Sequence, residues 1–118
     1  MKKLEEVREK YSDRLDLCVG VELGLQPHLK EEISRYLNEF SFDFVIGSSH
    51  VVHGQDPYYP EFYKGRKVTR CYMEYFESIL ENLSVFDQMD VYGHLDYIVR
   101  YLPSGRKVNL FAEFGDII

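Results

Sequence analysis

The sequence is poor in cysteine and has no long apolar run. Among its 118 residues, Cys18 and Cys71 are too few for a disulfide scaffold and lack the CxxC spacing of a thiolate metal site. We expect Cys18, which lies in an apolar run, to be a small buried side chain. No stretch approaches the roughly 20 apolar residues of a membrane helix, and the start, MKKLEEVREK, has no apolar core typical of a signal peptide. We therefore expect a cytoplasmic protein with reduced thiols and no membrane partner.

Basic residues are also scarce. The chain has 14 Lys and Arg against 20 Asp and Glu, a formal net charge of −6. This balance disfavours a protein that follows nucleic-acid phosphates, so we expect no nucleic-acid partner. Hydrophobic residues make up 45% and aromatic residues 15%, enough for one folded domain over 1–118. A complete barrel of eight β/α units needs about 250 residues, which excludes that architecture for this chain alone.

Helix and strand patterns alternate along the chain. Apolar residues spaced three and four apart predict helices at 2–11, 28–40 and 68–86. Short apolar runs predict strands at 15–22, 42–46 and 89–92, the first of them buried on both faces. We expect a long, functional loop at 51–66, a turn at 103–107 and the start of a helix within 109–118. Alternation of this kind predicts an α/β fold with parallel strands joined by right-handed crossovers.

Each predicted strand ends near a side chain that can bind a metal. These side chains are Glu22 in GVELG, His50 in IGSSH and His94 in YGHLD. Parallel α/β folds bind ligands at the carboxyl ends of strands, and adjacent strands lie about 4.8 Å apart. One carboxylate and two imidazoles suit Zn, Mn or Fe. The alternative is that the histidines form ordinary hydrogen bonds and the glutamate is solvated.

Other polar residues near these strand ends are weaker candidates. His53 is either a further ligand, a substrate contact or a residue of the loop surface. Arg100 suits a bidentate contact to phosphate, and its alternative is an ion pair. Ser48 and Ser49 precede His50, but adjacent residues on a strand point to opposite faces and no GxSxG motif is present. We therefore exclude a serine nucleophile.

Three segments of the chain resemble the histidinol-phosphatase branch of the PHP (polymerase and histidinol phosphatase) superfamily: GVELGLQPH, FDFVIGSSHVVHGQDPYY and FDQMDVYGHLDYIVRY. The resemblance covers nearly the whole chain. It implies a partial (β/α) barrel of the PHP type, a divalent metal cluster, and hydrolysis of L-histidinol phosphate in histidine biosynthesis. It further implies that Glu22, His50 and His94 hold one metal, with Glu22 shared with a second, and that Arg100 contacts the substrate phosphate.

The chain also departs from the family pattern. No HxHxH motif precedes Glu22, and no DxH motif occurs before Ile118. In the family these motifs supply most ligands of the other metals. We therefore expect a single truncated PHP-like domain over 1–118 that does not assemble the full cluster alone and hydrolyses substrate far more slowly than a complete relative. We also expect exposed strand edges to produce a homo-oligomer. The alternative is a catalytically impaired metal-binding remnant or an oligomerising interaction module.

Overall fold

Helices and strands alternate in the computed structural model, which describes residues 1–101 and 109–117. The strands are β1 (Gly20–Gly24), β2 (Phe44–Ser48) and β3 (Val91–Tyr92). The α-helices are α1 (Lys2–Tyr11), α2 (Lys30–Glu39), α3 (Val68–Val85) and α4 (Leu110–Phe114). The predicted helices at 2–11 and 68–86 are confirmed. The predicted turn at 103–107 lies outside the described residues.

The three strands form one parallel sheet in the order β1-β2-β3. Gly20 pairs with Phe44 at the start of β1, and Ile46 pairs with Val91 at the start of β3. Helices α2 and α3 connect successive strands, so the predicted α/β fold with parallel strands is confirmed. All three strands consequently end at the same edge of the sheet.

An aspartate immediately before β2 and another before β3 fix where the ladders begin. The Asp43 amide donates to Val19 O at 2.8 Å, and its Oδ2 accepts from Val19 N at 2.6 Å. Asp90 repeats this arrangement on Val45, with distances of 2.9 and 2.7 Å. In each ladder the aspartate carboxylate thus takes the place of the next interstrand hydrogen bond. It accepts from the backbone N–H that a residue of the neighbouring strand would otherwise bind.

The prediction for the first strand was wrong in two respects. Regular pairing begins at Gly20 rather than at residue 15, because the Asp43 carboxylate holds the amide of Val19. Side chains along β1 alternate between exposed and half-buried, so the strand is not buried on both faces. Cys18 precedes the paired segment and is exposed, not buried as expected.

The core lies between α3 and the segment that follows β2. Its buried side chains include Val52, Phe62, Tyr63, Cys71, Tyr72, Tyr75, Phe76, Ile79, Ile98 and Phe114. The predicted loop at 51–66 contains a 3₁₀ helix, Pro60–Tyr63, which delivers two aromatic rings to this core. Part of that loop is therefore packed into the core.

One further segment differs from its prediction. The helix expected at 28–40 divides into a 3₁₀ turn, Pro27–Leu29, followed by α2. The apolar segment at 97–101 is a 3₁₀ helix. Within the described residues, no helix is both long and apolar enough to cross a membrane.

Candidate metal centre

Three strands bring the predicted ligands to one place. Glu22 lies within β1, whereas His50 and His94 each follow the last residue of their strand by two positions. Their ligand atoms all lie within 4.8 Å of one another. The structure therefore brings together the carboxylate and the two imidazoles that the sequence placed on separate strands.

The distances among these atoms suit a single ion. His94 Nε2 lies 3.0 Å from Glu22 Oε1 and 3.1 Å from His50 Nε2, and His50 Nε2 lies 3.7 Å from Glu22 Oε1. Tetrahedral ligands at bond lengths of 2.0–2.1 Å are about 3.4 Å apart. Two of the observed distances are shorter than this spacing and one is longer, so small movements of the side chains would let the three groups bind one divalent cation.

Hydrogen bonds alone do not satisfy the ring nitrogens of His94 in this cluster. His94 Nε2 faces both Glu22 Oε1 and His50 Nε2, yet a neutral ring nitrogen carries either one proton or one lone pair. Its other nitrogen, Nδ1, is buried and has no partner among the described residues. The hydrogen bond from His94 holds the pKa of Glu22 below its usual range, and partial burial opposes this less strongly. A carboxylate that stays ionised beside two imidazoles is a suitable donor set for a cation.

Aromatic and backbone contacts hold the histidine rings. The His50 and His94 rings stack with centroids 4.8 Å apart, and the Tyr97 ring packs against them at 4.9 and 5.5 Å. The Tyr97 hydroxyl donates to Asp56 Oδ1 at 3.1 Å. His94 has a φ of 31°, a left-handed conformation that costs free energy for a residue with a side chain. Strain of this kind is concentrated at functional sites.

The other predicted residues, His53 and Arg100, are both exposed. His53 is exposed in a tight turn with a φ of 47°. It lines a cavity of about 350 Å³ beside Pro27, His28 and Glu81, and none of the three ligand residues lines that cavity. Arg100 is exposed on the 3₁₀ helix that begins at Tyr97. The structure therefore does not bring His53 into the cluster of ligand atoms.

The two serines before His50 are fully buried. Ser48 Oγ donates to Leu23 O at 3.1 Å. Ser49 Oγ contacts the Tyr92 hydroxyl at 2.5 Å and accepts from Asn82 Nδ2 at 2.8 Å. Within the part of the chain that is described, neither hydroxyl bonds to a histidine, which agrees with the exclusion of a serine nucleophile.

Sequence reasoning did not identify the supporting residues Asp56, Tyr75, Asn82 and Tyr97. Tyr75 lies on the predicted apolar stripe of α3, where an aromatic residue indicates core. Asn82 follows it by seven positions, which places both on one face of the helix. That spacing was the available signal that α3 presents polar groups to the strand ends.

The comparisons with known proteins give one consistent result. A family model described as "PHP domain" matches residues 1–118. A histidinol-phosphatase of Lactococcus lactis is 30% identical over 116 residues, which is 98% of this chain and 43% of that protein. A probable histidinol-phosphatase of Clostridium acetobutylicum is 31% identical over 102 residues, or 86% of this chain and 40% of that protein.

A solved structure agrees with the sequence matches. It is the crystal structure of histidinol phosphate phosphatase from Lactococcus lactis, complexed with zinc, L-histidinol and phosphate. The TM-score is 0.89 at 30% identity, over 98% of this chain and 44% of that one. The expected partial β/α fold of the PHP type is confirmed. The chain spans less than half the length of these relatives.

Proposed function

Because this chain belongs to the PHP domain family, we propose that it supplies a metal-binding edge of a site that hydrolyses a phosphomonoester. The observation that carries the proposal is the convergence of Glu22, His50 and His94 within 4.8 Å. Relatives named as histidinol-phosphatases support the same chemistry. We propose L-histidinol phosphate as the substrate, since the related crystal structure contains L-histidinol and phosphate together with zinc.

In this proposal Glu22, His50 and His94 are the metal ligands. A divalent metal supplies two effects in phosphate-ester hydrolysis, a lowered pKa of water and polarisation of a phosphoryl oxygen. Glu22 contributes the negative charge of the donor set, and in the metal-free protein the hydrogen bond from His94 holds its pKa below the usual range. Tyr97 covers one side of the two imidazole rings and limits the directions from which water reaches them.

Arg100 and His53 are proposed to bind substrate. The Arg100 guanidinium is exposed and permanently charged, and its planar fork matches two phosphate oxygens. His53 is exposed beside a cavity large enough for part of a small molecule. Their exposure leaves both side chains able to meet a ligand that enters from solvent.

A second function is favoured by the metal-binding groups that the described residues present. They form one group of three side chains. In the family that the sequence resembles, hydrolysis of phosphate esters relies on several metals. Binding of one divalent metal without turnover is therefore the second candidate function.

Metal content and phosphate release, measured on the same purified 118-residue protein, separate the two functions. Several metals per chain with release of phosphate from L-histidinol phosphate at about 1–1,000 per second supports the enzyme. One metal per chain without release supports the second candidate. The matched variant is Glu22→Gln, which keeps the shape of the side chain and removes its charge. Absence of bound metal in the wild-type protein after incubation with zinc or manganese would overturn both.

We also propose that the chain associates with a second copy of itself. Its described part exposes large apolar side chains at the starts of β2 and β3 and on α1, namely Phe44, Val91, Leu4 and Val7. Such side chains favour association because it removes them from water. Light scattering at tens of micromolar is the test, and a stable monomer at that concentration contradicts the proposal.

A further inference from the structure

A buried set of polar side chains lies directly behind the metal centre. Helix α3 contributes Tyr75 and Asn82, which are 0% and 1% exposed. Ser49, which is fully buried just after β2, and the half-buried Tyr92 at the end of β3 complete the set. Buried polar groups are costly unless they are hydrogen-bonded, so their arrangement in this place calls for a physical reason.

Asn82 links the ends of three strands. Its Nδ2 donates to Ser49 Oγ at 2.8 Å, and it lies 3.2 Å from both Leu25 O and the Tyr92 hydroxyl. Leu25 follows β1, Ser49 follows β2 and Tyr92 ends β3. One amide group therefore sets the spacing of all three strands at the edge where the metal ligands emerge.

Tyr75 acts on the backbone of the two histidines. Its hydroxyl lies 3.4 Å from both Ser49 O and His94 O. Ser49 O belongs to the peptide bond that leads into His50, and His94 is held at a positive φ. The phenol hydroxyl is therefore a donor shared between these two carbonyls.

We propose that Tyr75 and Asn82 are positioning residues for the metal centre. They hold the three strand ends at the separation that brings Glu22, His50 and His94 to one ion. The inference rests on the metal site of the proposed function. Because β3 is only two residues long, the ladder continues toward His94 through a single backbone bond, from Gly93 N to Gly47 O at 2.7 Å, and Tyr97 N donates to His94 O at 3.0 Å. The side chains of α3 add a constraint from the helix side to these few backbone bonds.

The test compares two tyrosines on the same helix. Tyr75→Phe removes the shared donor, whereas Tyr72→Phe makes the same chemical change at a buried hydroxyl with no partner among the described residues. Zinc affinity of the full chain is measured by competition with a chromophoric chelator. Loss of groups that orient metal ligands typically weakens metal affinity about 10–100-fold. We expect a loss near about ten-fold for Tyr75→Phe and no change for Tyr72→Phe.

A spectroscopic signature separates positioning from general stability. The visible absorption of bound Co²⁺ reports ligand geometry, and we expect it to change in Tyr75→Phe and to stay unchanged in Tyr72→Phe. Circular dichroism of the metal-free proteins verifies that each is folded. Ser49→Ala is the second variant, because it removes the hydroxyl that forms the shortest hydrogen bond with Asn82 and leaves α3 unaltered. It decides the question if Tyr75→Phe does not fold.

The outcomes distinguish this inference from the proposed function. If the wild type binds zinc and both Tyr75→Phe and Ser49→Ala bind it equally well, the positioning role is overturned and the metal site stands. Equal weakening in Tyr75→Phe and Tyr72→Phe overturns it as well, because general packing then explains the loss. If the wild type itself binds neither zinc nor cobalt, the metal site and the positioning role both fall.

Discussion

Removing one imidazole from the candidate metal centre is expected to remove most of the stabilisation of the protein by zinc. His50 is the best position for this change, since its side chain is 36% exposed and its backbone is free of the positive φ found at His94. His50→Ala therefore removes a ligand with little damage to packing. The measured quantity is the rise in melting temperature when zinc is added to the metal-free protein.

The expected size follows from linkage. A ligand at 100 times its dissociation constant that binds only the folded state adds about 2.7 kcal/mol to the free energy of unfolding. With an unfolding entropy of about 2.1 cal/mol/K per residue, a chain of 118 residues has about 0.25 kcal/mol/K in total. The melting temperature then rises by about 11 °C.

Loss of one of three ligands has a predictable consequence at the same zinc concentration. We expect affinity to fall by about 100-fold or more, beyond the effect of changing groups that merely orient ligands. Zinc is then no higher than its dissociation constant, which leaves about 0.4 kcal/mol and a rise of about 2 °C. Without metal, the variant should melt at nearly the same temperature as the wild type. With zinc added to both proteins, the variant should melt well below the wild type.

The assay is differential scanning calorimetry with and without zinc, and the matched control is His28→Ala. His28 is an exposed histidine outside the ligand cluster, so this control removes any general contribution of imidazoles to zinc binding. It should keep the full rise. An equal rise in His50→Ala and the wild type would refute the assignment of His50 as a ligand.

Three further predictions concern charge, backbone strain and close packing. The hydrogen bond from Arg66 lowers the pKa of Glu74 from its usual 4.5, so this carboxylate stabilises the fold above that pH and loses its effect as pH falls. Urea unfolding of Glu74→Gln should therefore differ most from the wild type near neutral pH, and a difference that grows in acid would contradict the sign. Because His94 has a φ of 31°, metal-free His94→Gly should be more stable to urea than His94→Ala by about 1 kcal/mol, and the reverse order would argue against strain. In Gly47→Ala the new Cβ would lie 2.5 Å from Met89 Sδ, so we expect a loss of about 1–3 kcal/mol in the free energy of unfolding, and no loss would mean that this neighbour yields freely.

The helices could be predicted from the spacing of apolar residues, and the metal ligands from their positions near the ends of predicted strands. In α3, apolar residues at spacings of three and four identified the buried face, and Tyr72, Tyr75, Phe76 and Ile79 are indeed buried. The ligands were found because parallel strands must end at one edge of a sheet. The distances among their atoms depend on that topology, on the register of β1 and β2, and on the side chains that bond to the strand ends.

The start of β1 could not be predicted, because it depends on a residue distant in sequence. An apolar run from residue 15 indicates a strand, but the local pattern contains nothing that stops pairing before Gly20. The stop comes from the Asp43 carboxylate, 24 positions away, which accepts from Val19 N. Cys18 is exposed for the same reason, since the segment before the ladder has no neighbouring strand among the described residues.

Both edges of this small sheet depend on side chains, and this explains how so short a ladder can support a metal site. At the amino edge, Asp43 and Asp90 each bond to the strand before them through an amide and a carboxylate. At the carboxyl edge, Tyr75 and Asn82 bond to the groups that lead into the ligands. Backbone pairing gives β3 two paired residues, extended by one bond from Gly93 N to Gly47 O at 2.7 Å, so buried side chains share in fixing the position of His94. We therefore expect mutations of these side chains to disturb the ligand triangle even when every ligand is left in place.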